Sequence, residues 1–267
     1  MSEVLLRVQE LTQQFKGVLA VDHINMDLET GKIYGLIGTN GAGKSTVINM
    51  ISGNLFPTEG QILYEDKPIT HVPAAQRARA GIARTFQNLR LFEDQTVLDN
   101  VITASQITRT YTLFEMLTYM PRYRREEKEF AARSLQALQT MGIEQYASYQ
   151  ADSLAYAFQR RLEIARCLAI RPKLLLLDEP AAGMNPQESL QLVEDIRKIH
   201  QVHPEMTILL IEHDMKVVMN LCEYIYVMAS GRMIAEGTPR QIYESEEVIS
   251  VYLGGSAHRI GKQTAGE

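Results

Sequence analysis

Gly38-Thr39-Asn40-Gly41-Ala42-Gly43-Lys44-Ser45 has the form G-x-x-x-x-G-K-S, follows the apolar run Ile33-Tyr34-Gly35-Leu36-Ile37 and leads into Thr46-Val47-Ile48-Asn49-Met50. Glycines at these positions let successive backbone N–H groups turn inward as an anion nest. The lysine then reaches β- and γ-phosphates, and the serine hydroxyl ligates Mg²⁺. A helix starting at the end of the loop points its positive N-terminal end at the same phosphates. The octet therefore predicts strand, phosphate loop and helix, and a bound nucleoside triphosphate such as ATP with Mg²⁺. Its candidate binding residues are Gly38, Thr39, Asn40, Gly41, Ala42, Gly43, Lys44, Ser45 and Thr46, with Ser45 also a metal ligand. The bland alternative, a glycine turn beside an incidental lysine, does not account for the strand-like and helix-like flanks.

A chain of 267 residues, 45% hydrophobic and 22% charged, has material for a well-buried core and fits one large α/β domain or two small ones, one domain with an insertion being the expectation. Its net charge of −5, with basic residues spread out, offers no footprint for nucleic acid or for an anionic membrane surface. No apolar stretch approaches the ~18 residues of a membrane span, and Met1-Ser2-Glu3-Val4-Leu5-Leu6-Arg7 lacks a signal-peptide core. The expectation is a soluble, cytoplasmic chain. Its two cysteines, Cys167 and Cys222, lack metal spacing and read as free buried thiols.

Along the chain, residues 4–30 read as strand, turn, strand, through the runs Leu5–Val8, Val18–Val21 and His23–Leu28, and Gln61–Tyr64 reads as another short strand ending in a turn. They suggest a small antiparallel sheet beside the phosphate loop. From about Thr96 to Arg166 the pattern becomes helical, with Leu135, Leu138, Met141 and Ile143 marking an apolar face. Two strand-helix units follow, Leu174–Leu177 with a helix from about Pro186, and Ile208–Ile211 with a helix through Met219. Continuous apolar runs of this kind are the mark of buried parallel strands. Gly231, Gly237 and Pro239 punctuate a last strand pair and a terminal helix, and residues 257–267 read as a frayed tail.

Ligands of open parallel sheets bind beyond the carboxyl ends of the strands. One apolar run ends Leu177-Asp178-Glu179-Pro180 and another Ile211-Glu212-His213-Asp214. A carboxylate at the end of a strand can hold the nucleotide's Mg²⁺, which is the role expected of Asp178. The next residue, Glu179, is the candidate general base for an attacking water. His213, at a third strand end, is a candidate γ-phosphate sensor.

On these residues the chain resembles the ATPase subunits of ABC transporters over essentially its whole length. The resemblance places Lys44 and Ser45 in Walker A, Asp178 in Walker B, Glu179 at the catalytic carboxylate and His213 in the switch histidine loop. It makes Gln87, within Arg84-Thr85-Phe86-Gln87, the Q-loop glutamine that touches Mg²⁺ and the attacking water. Phe15 becomes the aromatic that stacks on adenine, where core packing is the competing explanation. The implied fold is a P-loop NTPase of ABC ATPase type: a mostly parallel core sheet, an antiparallel β subdomain and an inserted helical subdomain. Residues 1–90 and 161–256 would form the nucleotide-binding core and 91–160 the helical and signature subdomain. The chain departs from the family's L-S-G-G-Q signature, since Ser153 is followed by Leu154-Ala155-Tyr156-Ala157-Phe158. Ala155 offers no serine hydroxyl, and Ala157 adds a Cβ where glycine permits close approach. The D-loop Gly183-Met184-Asn185-Pro186 also lacks the aspartate of many members.

Ala83–Phe92, Arg160–Cys167, Asp178–Pro186 and the insert around Leu113–Leu117 are similar to the ATPase subunits of branched-chain amino acid importers. That likeness implies a head-to-tail dimer with a second, different ATPase subunit, transmembrane permease subunits and, indirectly, a solute-binding protein. It also implies peripheral attachment, through the permeases, to the cytoplasmic face of the inner membrane. Two other readings stand beside it. One is a regulatory half-site that binds ATP and hydrolyses it slowly; the other is a soluble ABC ATPase outside transport. Intact Glu179 and His213 favour turnover, whereas the altered signature favours asymmetry between two composite sites.

Overall fold

The computed structural model describes residues 3–251. In chain order the first elements are β1 (Val4–Phe15), β2 (Val18–Glu29), β3 (Ile33–Gly38), α1 (Lys44–Ile51), β4 (Glu59–Tyr64), β5 (Lys67–Pro68), α2 (Ala74–Arg79) and β6 (Ile82–Arg84). Next come α3 (Val97–Ser105), α4 (Leu113–Leu117), α5 (Pro121–Thr140), α6 (Tyr156–Leu168), β7 (Leu174–Asp178) and α7 (Pro186–Val202). The last are β8 (Thr207–Ile211), α8 (Met215–Leu221), β9 (Tyr224–Ala229), β10 (Arg232–Gly237) and α9 (Pro239–Glu244). The chain divides into two compact units, one running to Val72 and resuming at Thr207, the other Pro73–Met206. The tail expected at 257–267 lies outside the described residues.

In the first unit β3 lies between two parallel neighbours, in the order β10-β9-β3-β8, with Gly35 level with both Leu210 and Ile225. Every residue of β3 and β8 is buried, which is why both read as unbroken apolar runs. A Cβ on Gly35 would meet Val218 Cγ1 at 3.0 Å and Cys222 Sγ at 3.1 Å. The missing side chain thus seats α8 closely on the strand.

A second sheet of this unit runs β2-β1-β4-β5, all antiparallel. Residues 4–30 are strand, turn and strand, β1 and β2, and the runs Val18–Val21 and His23–Leu28 lie in one strand, β2. Val21 is buried, and so are Ile24, Met26 and Leu28, so the period-two pattern changes phase once. The change falls at His23, whose φ is 51° and whose N–H donates to Thr12 Oγ1 at 3.1 Å, while the pairing register with β1 shifts there. An extra residue in one strand of a pair produces such a bulge. The two sheets of this unit are tied by phenols. Tyr226 donates to the Asp27 carbonyl at 2.8 Å, and Tyr34 accepts from the Glu29 N–H at 2.9 Å.

In the second unit β6 and β7 pair in parallel, Ile82 with Leu174 and Arg84 with Leu176. The helical region is as expected, and of the apolar face read from the sequence Leu138, Met141 and Ile143 are buried but Leu135 is not. Leu135 is 41% exposed, whereas Phe130, Ser134, Ala137 and Leu138 are buried at helical spacing. Met141 and Ile143 are buried after the helix has ended at Thr140, where Gly142 at φ 64° turns the chain. Two structures thus shared one apparent periodicity. No helix among the described residues is long and apolar enough to cross a membrane.

Both cysteines are free and buried, as expected from the sequence. Burial pushes the Cys167 thiol up to about 12 and raises that of Cys222 as well. Since the thiolate is the nucleophile, neither is expected to react with iodoacetamide at pH 8 in the native protein, while both react in denaturant. Intact-mass measurement checks this, and rapid native labelling of either would contradict the packing described.

Candidate functional site

The phosphate-loop octet leaves the end of β3 and closes on α1. Gly38, Gly41 and Gly43 have φ of 154°, 80° and 101°, conformations costly for side chains. Two of these positions are also sterically closed. A Cβ on Gly38 would lie 2.1 Å from the Met228 carbonyl oxygen, and one on Gly43 2.5 Å from that of Ala20. Lys44 is buried, and its Nζ donates to the carbonyls of Gly38 at 2.8 Å and Thr39 at 3.0 Å. The ammonium is thereby held over the loop's own backbone. Gly43 caps α1 in the left-handed conformation without a side-chain hydrogen bond, and no acidic residue lies in the first turn. Ser45 is exposed. Left-handed glycines, a helix N-terminus uncapped by a side chain and a buried lysine make a positive concavity suited to phosphate oxygens.

Phe15 lies at the end of β1, paired with Val18 across the hairpin, and is 45% exposed. Core packing is therefore not what this ring does. His213 follows β8 with 59% of its side chain exposed and its Nδ1 3.8 Å from Glu212 Oε2. Asp214, next in the chain, accepts from the Lys216 N–H at 2.8 Å and so starts α8.

In the second unit Asp178 ends β7 buried, its N–H donating to Thr85 Oγ1 at 3.2 Å. Its carboxylate pairs with Arg84 Nη2 at 2.8 Å, with both side chains buried. Glu179 has φ 48°, a strained setting for a residue with a Cβ and one that concentrates at functional sites. Gln87 Nε2 donates to Glu179 Oε2 at 2.9 Å. The structure thus joins two sequence candidates that stand 92 residues apart.

The backbone carrying Gln87 is gripped by α6. Arg160 donates through Nη1 to the Phe86 carbonyl at 2.8 Å and through Nη2 to the Gln87 carbonyl. Glu163 accepts the Phe86 N–H at 3.0 Å and pairs with Arg160 at 3.2 Å. Burial raises the Glu163 carboxyl above the ordinary range, against the opposing pull of the Phe86 N–H and Arg160. Arg160 Nε also donates to the Tyr156 hydroxyl at 3.0 Å, which donates to the Ala182 carbonyl at 3.0 Å. Neither Arg84, Arg160, Glu163 nor Tyr156 was a candidate from sequence. The i,i+3 charge pair Arg160/Glu163, both members buried in α6, was the available signal. In the signature segment, Ala155 caps α6 without a side-chain hydrogen bond, and Phe158 packs on Tyr146 at 5.1 Å between ring centroids. Asn185 caps α7, accepting from the N–H groups of Gln187 and Glu188 at 3.0 Å each.

Among the described residues no three His, Cys, Asp or Glu side chains cluster to hold a metal by themselves.

A family model described as ABC transporter matches residues 21–182, and one described as branched-chain amino acid ATP-binding cassette transporter matches 232–258. The chain is 46% identical over 254 residues to the high-affinity branched-chain amino acid transport ATP-binding protein LivG of Escherichia coli K12, covering 95% of this chain and 99% of the relative. It is 42% identical to the corresponding protein BraF of Pseudomonas aeruginosa, with the same coverage. Among solved structures, the ADP conformation of MJ1267, an ATP-binding cassette of an ABC transporter, superimposes with a TM-score of 0.82 at 29% identity. That likeness covers 95% of this chain and 100% of the other. The fold class expected from the sequence is the one these structures have.

The loop geometry separates two glycines. Gly43→Ala meets both left-handed strain, about 1–3 kcal/mol, and a backbone oxygen, whereas a Cβ on Gly41 has nothing within 4 Å. Urea unfolding should show the larger loss for Gly43→Ala, and equal losses would mean that the Ala20 contact is not a constraint.

Proposed function

The chain belongs to the ABC transporter family as an ATP-binding subunit, and on that premise we propose that it binds and hydrolyses ATP to drive import of branched-chain amino acids. The observation that carries this reading is the hydrogen bond from Gln87 to Glu179 behind a β7 that ends in buried Asp178. It sets an amide and a carboxylate together at the end of a strand, where a water can be oriented and deprotonated.

In this reading the loop N–H groups from Gly38 to Thr46 and the Lys44 ammonium bind the phosphates. Phe15, exposed at its hairpin, stacks on the adenine. Ser45, Gln87 and Asp178 hold Mg²⁺, which neutralises phosphate charge when bound. Asp178 already faces Arg84 at 2.8 Å, which holds its carboxylate in one orientation. Glu179 takes the proton of the attacking water, and His213 contacts the γ-phosphate. A second, different ATPase chain completes each site head to tail, and permease subunits with a solute-binding protein complete the importer. The chain then sits peripherally on the cytoplasmic face of the inner membrane.

The signature supports a second reading, a half-site of reduced service to the partner's ATP. Ala155 supplies no hydroxyl, yet the N-terminal turn of α6 carries no side-chain cap, and although the Phe158 N–H is taken by the Ala155 carbonyl, the positive helix end remains for a phosphate. Asymmetry between the two sites then rests on one missing hydrogen bond rather than on a lost surface.

Glu179→Gln tests the main reading. It should leave equilibrium ATP binding unchanged and lower turnover of the assembled transporter by roughly 10²-fold or more, since the amide keeps the shape but accepts no proton. Turnover near wild type would remove Glu179 from the role of base.

A further inference from the structure

The contacts around Glu179 close into a circuit. From the carboxylate it runs through the Gln87 amide, along the residue to the Gln87 carbonyl, and on to Arg160. From Arg160 it continues to the Tyr156 hydroxyl and the Ala182 carbonyl. It returns through the turn in which the Ala182 N–H donates to the Glu179 carbonyl at 3.1 Å. Tyr156 stands at the first glycine position of the L-S-G-G-Q pattern. Its hydroxyl is engaged by its own chain, between the signature helix and the D-loop.

Arg160 is 3% exposed. A buried ion pair contributes little net stability beyond what apolar packing would give, so stability alone does not explain Arg160 and Glu163. The planar guanidinium fork, however, matches two successive carbonyls, those of Phe86 and Gln87, and a lysine cannot reproduce that geometry. With its main chain held this way, Gln87 has only its side chain free to reorient. The left-handed Glu179 is meanwhile braced from both sides, which is how a strained residue is kept in place.

We propose that Arg160 is a positioning residue for the hydrolytic reaction, with Tyr156 as its strut, acting through Gln87 on the Glu179 carboxylate. The inference rests on Glu179 being the base. It assigns the variant signature residue a task within its own chain, the registration of the Q-loop against the turn after Glu179.

The test uses the complete transporter and compares Tyr156→Phe, Arg160→Lys, Gln87→Ala and the two double variants with Gln87→Ala. Tyr156→Phe removes one oxygen from a partly exposed ring and leaves the helix able to fold. The substitution loses two hydrogen bonds, one to the Ala182 carbonyl and one from the Arg160 guanidinium; one neutral bond alone corresponds to about fivefold, so kcat should fall at least about fivefold with KM and ATP affinity unchanged. Arg160→Lys keeps a charge beside Glu163 and should lower kcat about tenfold or more, as expected for a lost charged hydrogen bond. In the Gln87→Ala background each substitution should cost less than about twofold, because residues acting through one another are not additive. Unchanged kcat in both single variants, a matching loss of ATP affinity, or full additivity with Gln87→Ala would overturn the proposal. Glu179→Gln is the control. If it abolishes turnover while the cycle is additive, only the positioning role fails; if it turns over normally, the reading of Glu179 fails first.

Discussion

Backbone crowding at Gly38 and Gly43 is the constraint on which the first unit's site depends. Two carbonyl oxygens, of Met228 and Ala20, stand where a Cβ would be, so the loop lies directly on β9 and β2. That closeness fixes the path of the loop and brings the Gly38 and Thr39 carbonyls to the buried Lys44 ammonium. It also sets where α1 starts, because the left-handed Gly43 is its cap. One local steric fact thus decides the positions of a charge and of a helix end.

The second unit solves a different problem, holding the irregular segment Phe86–Gln87 without regular hydrogen bonds. Beyond β6 the chain has no ladder partner for Phe86 and Gln87, and a buried Arg and Glu on α6 supply the missing donor and acceptor. Satisfying backbone groups with ionised side chains is costly when incomplete and rigid when complete. Glu163 shows the cost, since burial holds its carboxyl above the ordinary range. Asp178 lies in a similar setting, paired with Arg84 and bonded through its N–H to Thr85.

The sequence declared those features whose physics is local. The octet Gly38–Ser45, the apolar runs of β3, β7 and β8, and the carboxylates after β7 could be read because their meaning depends on neighbours in the chain. The bulge at His23 could not, since a phase change in alternation looks the same as two short strands until the partner strand is seen. Leu135 misled for a related reason. The helix stopped at Thr140, and Met141 and Ile143 owed their burial to the turn at Gly142. Arg160 and Tyr156 were hidden because their partners, Phe86, Gln87 and Ala182, are 26 to 74 residues away and all three contacts are to main-chain carbonyls, which carry no residue signature.

The bulge in β2 has a bearing on self-association. In the sheet ordered β2-β1-β4-β5 the outer strands are where a foreign strand could add, and in β2 main-chain groups of Asp22, Asp27 and Glu29 are already taken by Gly231, Tyr226 and Tyr34. One outer strand, β5, is two residues long and contains Pro68, which has no N–H to donate. The other carries the left-handed His23, which breaks the straight row of donors and acceptors, and it turns Asp22 and Asp27 toward arginines, Arg232 and Arg7. A short edge ended by proline and a kinked, charged one are poor templates, so this sheet is protected against lateral growth at both margins.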